Sequence, residues 1–204
     1  NGYSLDITGS YNTIVNDTMS NNGDGISIAG SHSKILNSVI SGSGNNGISI
    51  TGSDSAINSC IISGNGNDGF SVSVYITGNH DAVLYSSVSK NSQYGLYITG
   101  NFTTVSSSKM LNNGVGGVYV TGFNNTITGP NISNNLEVGI NLFSGTNSTI
   151  SSNIIANNAL YGMIIRYSLD GIIYNNLFNN TNNVWINSSF IYWNVSLRAG
   201  KNIV

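Results

Sequence analysis

A six-residue pattern of glycine, aliphatic, variable, aliphatic, variable and glycine returns along the chain about every 22 residues. Clear copies occupy residues 25–30, 47–52, 95–100 and 117–122, and drifted copies begin at Leu5, Val74, Gly139, Gly162 and Val184. Repeats of this length indicate a solenoid, because each unit can bury its apolar face only against its neighbours. One repeat is therefore expected to form one turn of a coil.

Aliphatic residues inside each repeat alternate with polar ones over short segments, which is the period of a strand with one buried face. A third apolar residue follows the second after seven positions and a fourth follows five later, as in Ile98, Val105 and Met110 or Ile165, Ile172 and Leu177. No segment keeps a helical period. The sequence predicts an all-β, single-domain parallel β-helix (β-solenoid) over residues 1–204, with three short strands in each of about nine coils of roughly 22 residues.

Asparagine recurs three residues after the fourth apolar position of most repeats. Stacked Asn amides can bond to the copies above and below, so this column predicts an internal asparagine ladder. Its members are Asn22, Asn65, Asn91, Asn113, Asn135, Asn158 and Asn180, with Ser43 at the remaining position.

The composition excludes several classes of protein. Only 7% of the residues are charged although 39% are hydrophobic, so the chain lacks the charge typical of disorder. A net charge of −2 with only six Lys and Arg argues against a nucleic-acid partner. The apolar runs are shorter than the ~20 residues of a membrane span. Cys60 is the single cysteine, which rules out an internal disulfide, and no cofactor is expected.

The regular spacing breaks once, between Gly69 and Gly95, where the interval is 26 residues. We assign an insertion to residues 69–74, read either as a tolerated bulge or as a functional surface. The chain resembles an excerpt of a longer protein, and residues 187–204 are expected to form a terminal coil or a continuation. Uncapped coil ends invite edge-to-edge pairing, so the expected partners are other copies of the chain or flanking domains.

An outward aromatic column is expected on one face, at the position between the two strand aliphatics. It contains Tyr75, Tyr97 and Tyr119, with Thr77, Thr99 and Thr121 beside it and Arg166 on the same face. Aromatic rings flanked by polar groups suit contact with sugar rings, for example in a cell-envelope polysaccharide, or with another protein. The alternative is that the rings only stabilise the sheet by stacking across strands.

The two histidines of the chain, His32 and His80, flank Asp54 at one corner position of consecutive repeats. Imidazole and carboxylate groups are ordinary ligands of zinc and copper, which makes the three residues a candidate metal site. The alternative is a row of solvated turn residues.

Asn-x-Ser/Thr sequons provide possible N-glycosylation sites if the protein is exported. They begin at Asn16, Asn101, Asn124, Asn131, Asn147, Asn179, Asn187 and Asn194. Their positions at exposed corners favour Asn101 and Asn124.

The acidic residues do not form a catalytic pattern along the sequence. An enzyme of the pectate lyase kind needs clustered carboxylates for calcium and a basic residue nearby. Arg166 is a possible basic residue, but no carboxylate cluster accompanies it, so no catalytic residues are assigned.

The repeat resembles that of the NosD-like and carbohydrate-binding/sugar-hydrolase β-helix families. Residues 125–127, 131–135 and 139–140 carry the resemblance, and residues 174–183 look like repeats of surface proteins from methanogenic archaea. The resemblance implies a right-handed β-helix and export to the cell surface or beyond.

Three roles follow from the composition and the resemblance together. We expect a non-enzymatic structural or adhesive β-helix whose ends can pair with those of other copies. The alternatives are a polysaccharide lyase or other carbohydrate-active enzyme, and a NosD-like protein that matures a periplasmic copper enzyme.

Overall fold

The computed structural model describes residues 2–66 and 72–193, apart from the Tyr3 side chain. Within them the chain forms short β-strands joined by tight corners, and no helix is long and apolar enough to cross a membrane. The strands, in chain order, are β1 (Tyr3–Ile7), β2 (Thr13–Val15), β3 (Thr18–Ser20), β4 (Asp24–Ile28), β5 (Lys34–Leu36), β6 (Val39–Ser41), β7 (Ile48–Ile50), β8 (Ala56–Asn58), β9 (Ile61–Ser63), β10 (Val74–Ile76), β11 (Ala82–Leu84), β12 (Ser87–Ser89), β13 (Leu96–Ile98), β14 (Thr104–Ser106), β15 (Lys109–Leu111), β16 (Gly116–Val120), β17 (Thr126–Thr128), β18 (Asn131–Ser133), β19 (Val138–Phe143), β20 (Thr149–Ser151), β21 (Ile154–Ala156), β22 (Tyr161–Arg166), β23 (Ile172–Tyr174), β24 (Leu177–Asn179), β25 (Val184–Asn187) and β26 (Tyr192–Trp193).

Every third strand pairs in parallel, which winds the chain into a β-helix. Sheet A runs from β1 through β4 and onward to β25, and sheet B from β2 through β5 to β26, with nine strands each. Sheet C runs from β3 to β24 with eight strands. The predicted right-handed parallel β-helix is confirmed, with about eight turns of ~22 residues.

The interior is filled by columns of aliphatic side chains in register. Ile76 pairs with Ile98 and Ile98 with Val120, and all three are fully buried. Each coil alone exposes these side chains, so the core forms only when coils stack.

The predicted columns shift by one residue toward the C-terminus. Ile173 pairs with Ile150 and is buried, whereas Ile172 was predicted to point inward. Likewise Phe178 pairs with Ile155, and Leu177 is 41% exposed. An extra residue between sheets A and B explains the difference, since a one-residue slip reverses the face of a strand.

The recurring glycines of the sequence pattern are explained by close approach between coils. A Cβ at Gly139 would lie 2.8 Å from the side-chain nitrogen of Asn158 in the asparagine ladder. A Cβ at Gly100 would overlap the carbonyl oxygen of Gly78 in the preceding coil. Glycine therefore permits both the ladder and the stacking distance of ~4.8 Å between parallel strands.

The asparagine ladder is confirmed from Asn65 to Asn180, whereas Asn22 donates to the Ser20 carbonyl instead. Asn91 donates to the side-chain oxygen of Asn113 at 2.9 Å, and Asn113 donates to that of Asn135 at 3.0 Å. These residues are almost fully buried. The ladder satisfies polar groups that a corner would otherwise leave buried without partners.

The predicted insertion at 69–74 is described only from residue 72 onward, and residues 69–71 lie outside the described residues. Val74 pairs with Ile48 on one side and with Leu96 on the other, so sheet A continues through the longer interval. Of the predicted terminal segment 187–204, residues 194–204 also lie outside the description. Within it, Tyr192 pairs with Ile172 and starts a further strand of sheet B.

Candidate functional site: an aromatic strip on sheet A

Sheet A carries a continuous row of ring contacts on its outer face. The rings of Tyr75 and Tyr97 lie 5.6 Å apart between centroids, and those of Tyr97 and Tyr119 stack at 4.3 Å with planes 12° apart. The row continues from Tyr119 to Phe143 at 6.4 Å and from Phe143 to Tyr167 at 5.5 Å. Together with Tyr94, these five residues form what we call the aromatic strip.

The register of the parallel strands produces this stacking. Tyr75 pairs with Tyr97 and Tyr97 with Tyr119, so identical side chains lie one above the other. The three side chains are half-buried, whereas the sequence predicted an exposed ladder. Their close mutual packing and the neighbouring Tyr94 account for the difference.

The sequence prediction missed Phe143, Tyr167 and Tyr94. Tyr94 lies beside the row of rings. Its ring meets those of Tyr97 and Tyr119 edge-on, at 6.2 and 5.4 Å. It lies against Gly116 of the next coil, where a Cβ would come within 2.8 Å of the Tyr94 Cδ1 atom. The absence of a side chain at residue 116 is the sequence signal that could have located this ring.

The Tyr94 hydroxyl accepts a hydrogen bond from the side-chain amide of Asn141 at 3.1 Å. Burial raises the pKa of Tyr94, and burial together with Tyr97 raises the pKa of Tyr119 to about 12. Both phenols therefore keep their protons at neutral pH. They can donate hydrogen bonds to a ligand but are poor general bases there.

The predicted polar neighbours also lie on this face. Thr77, Thr99 and Thr121 are half-exposed, two positions after the three stacked tyrosines. Arg166 ends β22, pairs with Phe143 and Asn187, and places its guanidinium carbon 5.2 Å from the centre of the Trp185 ring. The outer face of sheet A thus combines the rings of the aromatic strip with hydroxyl groups and one cation.

The predicted metal residues occupy a different corner, between sheets A and B. His32 and Asp54 approach to 4.0 Å, while His80 stacks on Phe102 with centroids 4.7 Å apart. Across residues 2–66 and 72–193, no three His, Cys, Asp or Glu side chains are grouped so as to hold a metal ion. The geometry brings together only two of the three residues, and metal binding stays a prediction.

The corner itself has an unusual backbone. Tyr11, His32, Asp54, His80 and Phe102 all have positive φ angles between 56° and 63°. Bulky residues rarely adopt this conformation. Ladder hydrogen bonds hold it, as in the bond from the His32 N–H to the Ser53 carbonyl at 2.9 Å.

The sequons differ in the availability of their amides. The side-chain amide of Asn101 donates to Asn79 at 3.0 Å, and that of Asn147 donates to Asn124. Glycosylation of either donor would break a hydrogen bond between neighbouring coils. Asn131 accepts from Ser133 through its oxygen. Asn16, Asn179 and Asn187 are exposed, which makes them better candidates than the Asn101 favoured by sequence; Asn194 lies outside the described residues.

Solved structures with the same fold include carbohydrate-active enzymes. The A-module of the mannuronan C-5 epimerase AlgE4 from Azotobacter vinelandii aligns with 88% of this chain and 56% of its own, at a TM-score of 0.76 and 18% identity. The periplasmic alginate epimerase AlgG aligns with 88% of this chain and 49% of its own, at 0.80 and 13%. The pectate lyase Pel9A aligns with 98% of this chain and 71% of its own, at 0.67 and 12%.

These similarities establish the fold, and the chain spans about half the length of the two epimerase structures. No curated protein matches the sequence. The family model described as a right-handed beta helix region matches residues 72–198, which is more than half of the chain. The protein therefore belongs to the right-handed β-helix family.

Proposed function

We propose that the protein is an exported, non-enzymatic β-helix that binds a polysaccharide along the aromatic strip. The row of Tyr75, Tyr97 and Tyr119 rings, in contact with one another across three coils of sheet A, is the observation that carries this proposal. Sugar rings present apolar faces that pack on aromatic rings, while their hydroxyls bond to polar groups alongside.

The spacing of the strip suits a polymer. Parallel strands repeat every ~4.8 Å along the axis of the β-helix. An extended pyranose chain advances by a similar distance for each sugar. A polysaccharide lying parallel to the axis can therefore meet one coil with each sugar unit.

The solved structures that share the fold support a carbohydrate ligand. They include a mannuronan C-5 epimerase, an alginate epimerase and a pectate lyase, and AlgG is described as periplasmic. These properties belong to those proteins, and they motivate the assignment of a polysaccharide ligand and of export to this chain. Kinship with NosD-like archaeal surface proteins and end-to-end assembly stay predictions.

The experiment is retention on immobilised polysaccharides, compared for the wild type, Tyr97→Ala and Tyr85→Asn. Tyr85 is a matched control because its ring is 66% exposed at the corner between sheets B and C, and Asn tolerates its φ of 49°. We expect Tyr97→Ala to lose at least tenfold in affinity and Tyr85→Asn to retain it. Equal affinity of all three proteins would refute binding through the strip.

A carbohydrate-active enzyme on the same face is the second candidate. The Tyr94 hydroxyl, the Asn141 amide and the nearby Arg166 are polar groups of the kind that act on a bound sugar. Incubation with mannuronan and with pectate, with and without calcium, would reveal unsaturated products by ultraviolet absorbance and epimerised units by NMR. Turnover that is lost in Arg166→Ala would replace the binding proposal with the enzymatic one.

A further inference from the structure

Arg166 is held in a fixed position beside the aromatic strip. It is the last residue of β22 and is half-exposed on the outer side of sheet A. Its guanidinium group lies over the Trp185 ring at 5.2 Å, within the ~6 Å of a cation–π contact. A guanidinium that rests on an aromatic face keeps its planar donor edge free for a ligand.

Among residues 2–66 and 72–193, no carboxylate forms an ion pair with Arg166. The one ion pair among the described residues joins His32 to Asp54, on another corner. The Nε atom of Arg166 is also enclosed and without a hydrogen-bond acceptor. A partly desolvated cation is costly to maintain, and an anionic ligand at the terminal nitrogens of the guanidinium group would offset part of that cost.

The positive charge reaches the strip itself. Burial is the main cause of the raised pKa values of Tyr94 and Tyr119. The charge of Arg166 lowers both pKa values and so opposes burial. The negative charge of Glu137, like burial, raises the pKa of Tyr94. The cation is therefore close enough to influence a ligand that contacts Tyr119.

We propose that Arg166 binds the carboxylate of an acidic sugar, so that the polysaccharide bound along the strip is a polyuronate. This inference rests on the proposed binding function. The guanidinium fork matches a carboxylate with two parallel hydrogen bonds. Arg166 lies two coils beyond Tyr119, or ~10 Å along the axis, so the carboxylate belongs to a sugar about two units from the one in contact with Tyr119.

The test measures the affinity of size-matched oligosaccharides by calorimetry. The ligands are oligomannuronate, oligogalacturonate, their carboxyl-reduced forms and a sulfated neutral oligosaccharide. The proteins are the wild type, Arg166→Gln, Arg166→Lys and Lys109→Gln, where Lys109 is an exposed cation on sheet C. Thermal unfolding of each variant checks that the fold is intact.

We expect the wild type to bind a uronate at least tenfold more tightly than its carboxyl-reduced form. Arg166→Gln should lose that preference while binding the reduced form normally, Arg166→Lys should retain part of it, and Lys109→Gln all of it. If Arg166→Gln keeps the preference, or if acidic and reduced forms bind equally, the inference fails while the proposed function stands. Preference for the sulfated ligand overturns the carboxylate assignment, and binding of none of the ligands overturns both proposals.

Discussion

The Tyr94 hydroxyl and the Asn141 side-chain amide are joined by a 3.1 Å hydrogen bond across two coils of the β-helix. Asn141 follows Tyr119 in the same outward column of sheet A. The bond therefore ties Tyr94, which lies beside the row of rings, to that column. Gly116 makes the reach possible by leaving space beneath the Tyr94 ring.

Replacing Tyr94 by Phe removes this hydrogen bond and keeps the ring. Asn141 is buried and its side-chain oxygen already lacks a partner, so its amide would lose its remaining side-chain contact. We expect a loss of about 1–3 kcal/mol in the free energy of unfolding, measured in urea. Tyr75→Phe is the control and should change it by less than about 0.5 kcal/mol.

We expect the buried carboxyl group of Asp81 to make the stability of the protein depend on pH. Its carboxyl is buried, one oxygen accepts from the Ser55 N–H at 2.7 Å, and the other has no partner. Burial raises its pKa from 3.8 to about 7. The folded state thus binds more protons than the unfolded state between these values, so the contribution of this group to stability falls as the pH rises from about 4 to 7.

The variant Asp81→Asn should therefore be more stable than the wild type at pH 8, by about 4 kcal/mol, with the gain vanishing below pH 4. An Asn side chain can donate at this corner position. Asn125, at the same position two coils later, donates to the Gly100 carbonyl. Urea unfolding at both pH values provides the measurement, with exposed Asp17→Asn as control. A gain that is equal at pH 4 and pH 8 would contradict the assignment.

Asn113 should be important for stability because it links two neighbours in the ladder. It accepts from the Asn91 side chain at 2.9 Å and donates to Asn135 at 3.0 Å, with its own side chain fully buried. Asn113→Ala removes the acceptor of both the Asn91 N–H and the Asn91 side-chain amide, whereas Asn135 still accepts from the N–H of residue 113. We expect a loss of at least about 2 kcal/mol in the free energy of unfolding. Exposed Asn187→Ala should be nearly neutral, and equal effects of both changes would argue against a structural ladder.

Cys60 should report unfolding. Its thiol is 1% exposed, and burial raises its pKa, so little reactive thiolate is accessible in the folded state. A thiol-specific reagent is expected to modify the native protein very slowly and the protein in denaturant within its normal reaction time. Rapid modification of the native protein would show that the interior opens at this coil.

The sequence by itself determined the repeating architecture. The spacing of Ile98, Val105 and Met110 fixes which side chains face inward, and the repeat of Asn113 in neighbouring coils predicts the ladder. Such patterns are local and periodic, so stacking neighbouring copies is enough to derive the contacts. The stacked Tyr75, Tyr97 and Tyr119 were predicted for the same reason.

Only the tertiary structure decided the contacts that break the repeat. Tyr94 reaches Asn141 by leaning over Gly116, and Arg166 lies on Trp185, because side chains of different columns meet only in the folded β-helix. The one-residue shift that buries Ile173 instead of Ile172 depends on the length of a corner, which the aliphatic spacing does not reveal. Periodic residues thus specify the coil, while the site depends on exceptional residues brought together across coils.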